Sequence, residues 1–270
     1  MDRKEIILEH VNREGAGVEI GPGYNPLVSK KEGYLVQSID HLDAVGLREK
    51  YRDEGVDIGR IEEVDFVWDG RPYAELVGKR KHYDWIIASH VIEHTPDLIG
   101  FLGECDSILK DSGIVTLAVP DKRYCFDYFR PVSSIARIID CHLGGALIHS
   151  PGTVAEHFLD VVSRGGVKTW HQGFGGEFEL IHPPGEPLRK MNSVIGKKSY
   201  VDVHCWCFVP HSFRLLIHDL YTLGFIPFQE LDFHPSQGCE FFLTLSRSGR
   251  GIGVSRLEML KTIEYELTCR

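Results

Sequence analysis

The stretch VEIGPGYNP, Val18 to Pro26, decides how the rest of the chain is read. A short apolar run, Gly17 to Ile20, leads straight into a Gly-Pro-Gly turn, the pattern of a strand that hands over to a ligand-binding loop. In a dinucleotide fold the pattern is G-x-G-x-x-G, with the pyrophosphate on the following helix N-terminus. Gly21 and Gly23 fill the first two places, but Pro26 stands in the third. Glu19 puts a carboxylate at the carboxyl end of the strand. An uncompensated carboxylate there disfavours a diphosphate and suits a ligand with a cationic end. The glycines let the backbone approach that ligand closely.

Outward from this turn, strand-like and helix-like segments alternate. Further strands are predicted over 34–39, ending in Asp40, over 64–68, ending in Asp69-Gly70, over 83–88 and over 114–119. Between the last two lies a helix. Thr95 suits its N-cap and Pro96 its first position, and Leu98, Phe101, Leu102, Cys105, Ile108 and Leu109 recur at helical spacing. Such alternation implies a parallel sheet covered on both faces. Asp40 then stands where an acid binds a ribose hydroxyl pair in doubly wound folds. Asp69 is placed to accept from an adenine amino group. S-adenosylmethionine, with an ammonium, a sulfonium and no phosphate, meets these demands.

The second half is read as helices over 132–143 and 153–163, a long loop over 165–199, a strand over 204–208 and a helix over 212–223. Strands over 225–233 and 240–246, linked by a turn at Pro235–Gly238, suit an antiparallel pair. A terminal helix is expected over 253–267. The fold expected is α/β: a Rossmann-like, doubly wound, seven-stranded sheet, mostly parallel, with an antiparallel last strand. Residues 1–250 are expected to form one domain, with a helical and loop insertion after strand five at about 122–202, and 251–270 a C-terminal helix.

Composition narrows the partners. Lys and Arg number 30 against 39 Asp and Glu, a net charge of −9 that opposes nucleic acid phosphates. The short basic runs Lys79-Arg80-Lys81 and Lys197-Lys198 read as solvated loop charge. No apolar run approaches the roughly 18 residues of a membrane span, and the opening MDRKEIILEH is charged and amphipathic, unlike a signal peptide. The seven cysteines are odd in number and scattered, without a CxxC pair, and read as reduced thiols in a cytoplasmic protein.

Five blocks, VEIGPG (18–23), SIDHLD (38–43), DFVWDG (65–70), YDWIIASHVIEH (83–94) and ILKDSGIVTLAVPD (108–121), together resemble a class I S-adenosylmethionine-dependent methyltransferase in order and spacing. The resemblance covers roughly the first 125 residues. It implies that Glu19, Gly21, Pro22 and Gly23 hold the methionine end of S-adenosyl-L-methionine and that Asp40 and His41 meet the ribose. Asp69 and Gly70 would sit at the adenine, with Ser89 and His90 along the reactive side. Asp111-Ser-Gly113 replaces the commoner Pro-Gly-Gly of that turn. Downstream, PDKRYCFDYFRP (120–131), Asp140-Cys-His142, Glu156-His157 and YVDVHCWCFVPHSF (200–213) resemble a bacterial subgroup associated with surface polysaccharide and glycan biosynthesis.

Methyl transfer needs nucleophile, methyl carbon and sulfur in line, and an alcohol acceptor also needs a base. Histidine is the best-matched side chain near neutral pH. His142, His149, His157 and His204 lie in the variable half. His142 and His157 are preferred as catalytic because an acid lies nearby in sequence, at Asp140 and Glu156. Three histidines could instead bind a metal, but no ligand motif is recognisable and none is expected. Asp121, Arg123, Tyr124 and His204 are assigned to the acceptor, with Arg123 and Arg130 suited to a carboxylate or phosphate. Trp170, Phe174 and Phe178 either stack on a sugar or pin the loop. The expected activity is O-methylation of a sugar or glycan-related small molecule. N- or C-methylation of another metabolite, or a cofactor-binding fold without catalysis acting as an interaction module, are the alternatives.

Overall fold

The computed structural model describes residues 1–197 and 199–268; Lys198, Cys269 and Arg270 lie outside them. Seven strands form one sheet: β1 (Gly17–Ile20), β2 (Val36–Asp40), β3 (Phe66–Val67), β4 (Tyr83–Ser89), β5 (Leu109–Pro120), β8 (Gln229–Gln237) and β9 (Glu240–Ser246). Their order is β3-β2-β1-β4-β5-β9-β8. All neighbours are parallel except β9, which runs antiparallel to both β5 and β8. The helices are α1 (Arg3–Leu8), α2 (Ala44–Lys50), α3 (Tyr73–Leu76), α4 (Leu98–Ile108), α5 (Ile135–Leu143), α6 (Pro151–Asp160), α7 (Glu186–Lys197), α8 (Pro210–Thr222) and α9 (Arg256–Thr268).

Side-chain alternation along each strand divides the core. Ile86 and Ala88 join Val18, Ile20, Val115 and Leu117 under α4 and α8. Trp85 and Ile87 face the other way, with Ile6 and Ile7 of α1, Leu27, Val28 and Phe242. Both faces are covered, as a parallel sheet requires. The sequence rises from β1 to β2 on one side and to β4 on the other. The crevice at this switch point, outside the carboxyl ends of β1 and β4, is where such sheets bind ligands.

Several boundaries differ from the sequence reading. Asp97, rather than Thr95, caps α4, accepting from Gly100 N at 2.8 Å. β3 has only two residues, so Asp69 lies beyond its end. The segment 165–199 is not one long loop: it contributes β7 (Phe178–Leu180), paired with β6 (Val162–Arg164), and then α7. Residues 204–208 are extended but belong to no named strand; Cys205 N and Trp206 N donate to Glu93 O, and Phe208 bridges to Asp121. β8 runs through Pro235 with an irregularity between His234 and Gln237. As the sheet's edge strand it can hold a residue with no N–H to donate.

Candidate cofactor and acceptor site

Gly21 and Gly23 have φ of +66° and +52°, in the region that disfavours side chains. Gly21 N donates to Ile39 O at 2.8 Å, fixing the turn to the end of β2. A Cβ on Gly21 would stand 2.6 Å from Val91 Cγ2, so the turn abuts the segment that follows β4. Asp40, buried at the end of β2, accepts from Gly23 N at 3.0 Å and from His41 N at 2.7 Å. His41 Nδ1 stands 2.6 Å from the same carboxylate, and its Nε2 is 3.2 Å from Lys50 Nζ. A carboxylate beside a close-approaching glycine turn fits a cofactor that carries a ribose.

Glu19 does something other than face a ligand ammonium. It is buried, and its carboxylate accepts from Leu27 N at 2.8 Å and Val28 N at 3.2 Å, holding the loop that carries the turn. Burial raises its pKa to about 7, against the opposing pull of those two amides. Pro22 and Gly23 line the same small hollow beneath the loop. Asp69 is exposed and held by Arg71, which donates from Nε at 2.9 Å and Nη2 at 2.5 Å, keeping its carboxyl below the usual range. Gly70 follows with φ +94°. Ser89 and His90 are tied to the sheet's other side. Arg3 Nη2 donates to Ser89 Oγ at 2.7 Å, and His90 Nε2 is 2.9 Å from Glu240 Oε2. His90 has φ +54°, an unusual conformation outside glycine.

On the acceptor side the structure regroups the histidines. His142 Nδ1 lies 3.0 Å from Asp97 Oδ2 and its ring meets Phe225 edge-on, so its partners are the cap of α4 and the core beside it. Its sequence neighbour Asp140 is not its partner. His157 Nδ1 has no hydrogen-bond partner, and burial, with the nearby Arg130, pushes its pKa down to about 3. At neutral pH it is too weak a base for the role assigned from sequence. Glu156 beside it accepts instead from Arg130 Nη2 at 3.0 Å.

His204 is the better-placed residue. Its Nδ1 is 2.5 Å from Asp127 Oδ2, and Arg130 Nη1 donates to the other oxygen of Asp127 at 2.8 Å. Burial works against the charge on Asp127, but His204 and Arg130 outweigh it and hold the carboxyl well below its usual range. His204 Nε2 turns toward Glu93 Oε1 at 3.9 Å. His94 Nε2 also stands 3.9 Å from Glu93 Oε1, and its Nδ1 is 2.8 Å from Asp202 Oδ1. The Asp202 carboxyl is drawn far below its usual range by His94 and, more weakly, by Lys50. Sequence reasoning placed no role on Glu93, His94, Asp127 or Asp202. The only signal was Glu-His at the end of the fourth block, and its partners lie about 110 residues downstream in the insertion.

The rim residues are engaged within the protein. Asp121 is fully buried and accepts from Arg123 Nη2 at 2.6 Å and Ser236 Oγ at 2.6 Å. Arg123 also lies over the Tyr124 ring, 5.2 Å from its centroid. With Arg130 buried between Asp127 and Glu156, neither arginine is presented to an acceptor anion as the sequence reading had it. Trp170 is buried and donates to Arg123 O at 3.1 Å, while Phe178 stacks on Tyr128 at 4.7 Å. These two aromatics pin the segment; Phe174 packs edge-on with His171.

His149 carries a consequence for pH. It is 1% exposed, and neither ring nitrogen has a hydrogen-bond partner. Burial, with the nearby His94, pushes its pKa from 6.5 down to about 4. Above pH 6.5 the ring is neutral folded or unfolded and contributes no pH dependence. Between pH 6.5 and 4 the unfolded chain takes up the proton and the fold does not, so stability falls by about 3 kcal/mol across that window. Urea unfolding at pH 7 and pH 4.5 should show this loss, with His157 adding to it, and His149→Leu should make the slope shallower. An unchanged slope in that variant would show that His149 does not titrate as described.

A switch-point crevice, a glycine turn and an acid after the second strand define an α/β fold of the doubly wound class. The chain belongs to the methyltransferase domain family, whose model matches residues 5–175. No curated protein matches the sequence. Among solved structures it is similar to the trans-methyltransferase CalH in complex with SAH, at 14% identity over 90% of this chain and 54% of that one, with a TM-score of 0.44. It is likewise similar to a protein from Pyrococcus horikoshii, at 14% identity over 90% and 86% of the two chains, TM-score 0.46. A third is the CurJ carbon methyltransferase, at 12% identity over 90% and 51%, TM-score 0.41. The chain thus spans about half the length of the first and third. Among the described residues no helix is long and apolar enough to cross a membrane.

Proposed function

We propose that this methyltransferase transfers the methyl group to a hydroxyl of a sugar or glycan-related small molecule. The observation that carries the reading is the buried Glu93 carboxylate between His94 and His204, on the segment that abuts Gly21. Proton-accepting groups beside the cofactor turn are what an alcohol acceptor needs and what an already nucleophilic amine does not. The acceptor oxygen forms its bond to the methyl carbon as the carbon–sulfur bond breaks. That electron pair stays on sulfur, leaving a neutral thioether, and the hydroxyl proton passes to the Glu93–His94–His204 group. Asp127 and Asp202 act as positioning residues for the two rings. A polar surround containing His94, His204, Asp202 and Tyr200 suits a polyol, in agreement with the downstream resemblance to the glycan-associated subgroup. Asp40 with the Gly21–Gly23 turn is assigned to the cofactor, with His41, Asp69, Gly70, Ser89 and His90 around it. The six described cysteines are all free thiols, which suits a cytoplasmic setting.

Two measurements test this. Calorimetric titration should give micromolar binding of S-adenosylmethionine and S-adenosylhomocysteine and none of NAD. Gly21→Ala should weaken that binding about 10–100-fold, since a left-handed non-glycine residue costs about 1–3 kcal/mol and here also meets Val91. Unaltered affinity in the variant would put the cofactor elsewhere. Incubation with methyl-labelled cofactor and a panel of nucleotide sugars should place the label in an ether. Transfer only to amine or carbon acceptors would rule out the hydroxyl reading.

A further inference from the structure

We propose that Glu93, His94 and His204 form a binding site for one divalent first-row transition-metal ion, such as Zn²⁺, Mn²⁺ or Fe²⁺. The sequence showed no ligand motif because the third ligand arrives from the insertion, about 110 residues after the other two. Folding brings the ligand atoms of all three within 4.8 Å of one another.

Four observations carry the assignment. Glu93 is 1% exposed, and neither carboxylate oxygen has a hydrogen-bond partner. A buried carboxylate left in that state is costly, so a missing counter-charge is the natural explanation. The two imidazole nitrogens facing it, His94 Nε2 and His204 Nε2, each stand 3.9 Å from the same oxygen, Glu93 Oε1. That separation is too long for a hydrogen bond. It suits atoms sharing one ion at about 2.0–2.2 Å each. Next, both rings present Nε2 to the centre while Nδ1 faces a carboxylate: His204 is hydrogen-bonded to Asp127 at 2.5 Å, and His94 stands 2.8 Å from Asp202 in an ion-pair contact without hydrogen-bond geometry. The His204–Asp127 pair has the form of the carboxylate–histidine–metal relays that fix the tautomer and orient the ring of metal-ligating histidines. Finally, the His94 side chain is about one-third exposed whereas Glu93 and His204 are buried. The centre is thus closed on the protein side and open on one flank, as a three-ligand site that accepts an exogenous oxygen must be. Two imidazoles and one carboxylate favour first-row transition metals over magnesium or calcium. His90 Nδ1, 3.5 Å from Glu93 Oε1, is held on its other nitrogen by Glu240 and is not needed as a ligand.

The ion's role deepens the hydroxyl reading above and rests on it: with Glu93, His94 and His204 engaged as ligands, the ion polarises the acceptor oxygen, lowers its pKa and aligns it with the methyl group, and the hydroxyl proton passes to solvent instead of to the three side chains. Binding itself rests only on the geometry. Among the described residues one other group has metal-ligand composition, Glu9, His10 and Asp232. Its Glu9 and His10 are exposed, and His10 pairs directly with Asp232 at 2.8 Å. It serves as the control.

The test is titration of the chelator-stripped full chain with Co²⁺, followed by visible absorption and calorimetry. One equivalent should bind, with the ligand-field bands of histidine coordination. His94→Gln and His204→Gln should each weaken binding about 100-fold or more, and Asp202→Asn, which leaves all three ligands in place, about 10–100-fold. His10→Ala should leave it unchanged, and far-ultraviolet circular dichroism should report the same fold throughout. Absence of Co²⁺ and Zn²⁺ binding to the native chain would overturn the proposal. So would binding lost in His10→Ala and retained in His204→Gln. The two readings fail separately. Metal bound at this site with methyl transfer only to amines would sink the hydroxyl reading and leave the ion. Hydroxyl methylation with no metal bound would sink the ion and leave the acceptor class.

Discussion

Asp127→Ala should destabilise the protein by about 3–5 kcal/mol, the cost of removing one partner from a buried ion pair. The Arg130 side chain is fully buried, and Asp127 is its nearer anion, at 2.8 Å against 3.0 Å for the partly exposed Glu156. Without Asp127 the guanidinium keeps one anionic partner, and the His204 ring loses the group at its Nδ1. Such a loss is a large share of the stability of an ordinary domain. Asp127→Asn retains shape and one acceptor oxygen, and should cost less in stability while still loosening the ring. Urea unfolding curves would show the effect as a lower midpoint. A shift worth under about 1 kcal/mol in the alanine variant would mean that the Asp127–Arg130 pair is not buried as described.

His204→Gln and Glu93→Gln should each lower turnover about 10²–10⁴-fold while leaving cofactor affinity within a few-fold of the native value. Neither residue carries the Gly21–Asp40 contacts. His142→Ala should change turnover little, because its ring is engaged with Asp97 and Phe225, away from Glu93. The decisive comparison is steady-state kinetics of all three variants beside calorimetry with S-adenosylhomocysteine. Normal turnover in His204→Gln together with loss in His142→Ala would reverse the assignment.

The two histidines preferred from sequence show how far local reading reaches. Asp140 and Glu156 lie near His142 and His157 in the chain, but residues adjacent on a helix point in different directions. Asp97 and Arg130, distant in sequence, became the actual partners of His142 and Glu156. The same holds for Arg123: as a charge following a strand it read as a substrate clamp, yet Asp121, two residues away, takes up its guanidinium. β7 and α7 were missed because the segment 165–199 is punctuated by Gly and Pro, the residues that normally mark loops.

The sequence by itself determined the sheet, the position of the glycine turn after β1 and the acid at the end of β2. Those features depend on short-range physics: strand alternation, capping, and the backbone freedom of Gly21 and Gly23. The tertiary structure alone decided which acids and histidines act together. Glu93 and His94 sit in the turn that follows β4, Asp127 after β5, and Asp202 and His204 beyond α7. They meet because the backbone of Cys205 and Trp206 is hydrogen-bonded to Glu93 O. Burial then sets their chemistry, driving His157 neutral and leaving Glu93 without a hydrogen-bond donor, while His204 and Arg130 hold Asp127 charged against it. Composition and spacing carry no record of desolvation, which exists only once the chain has closed around a group.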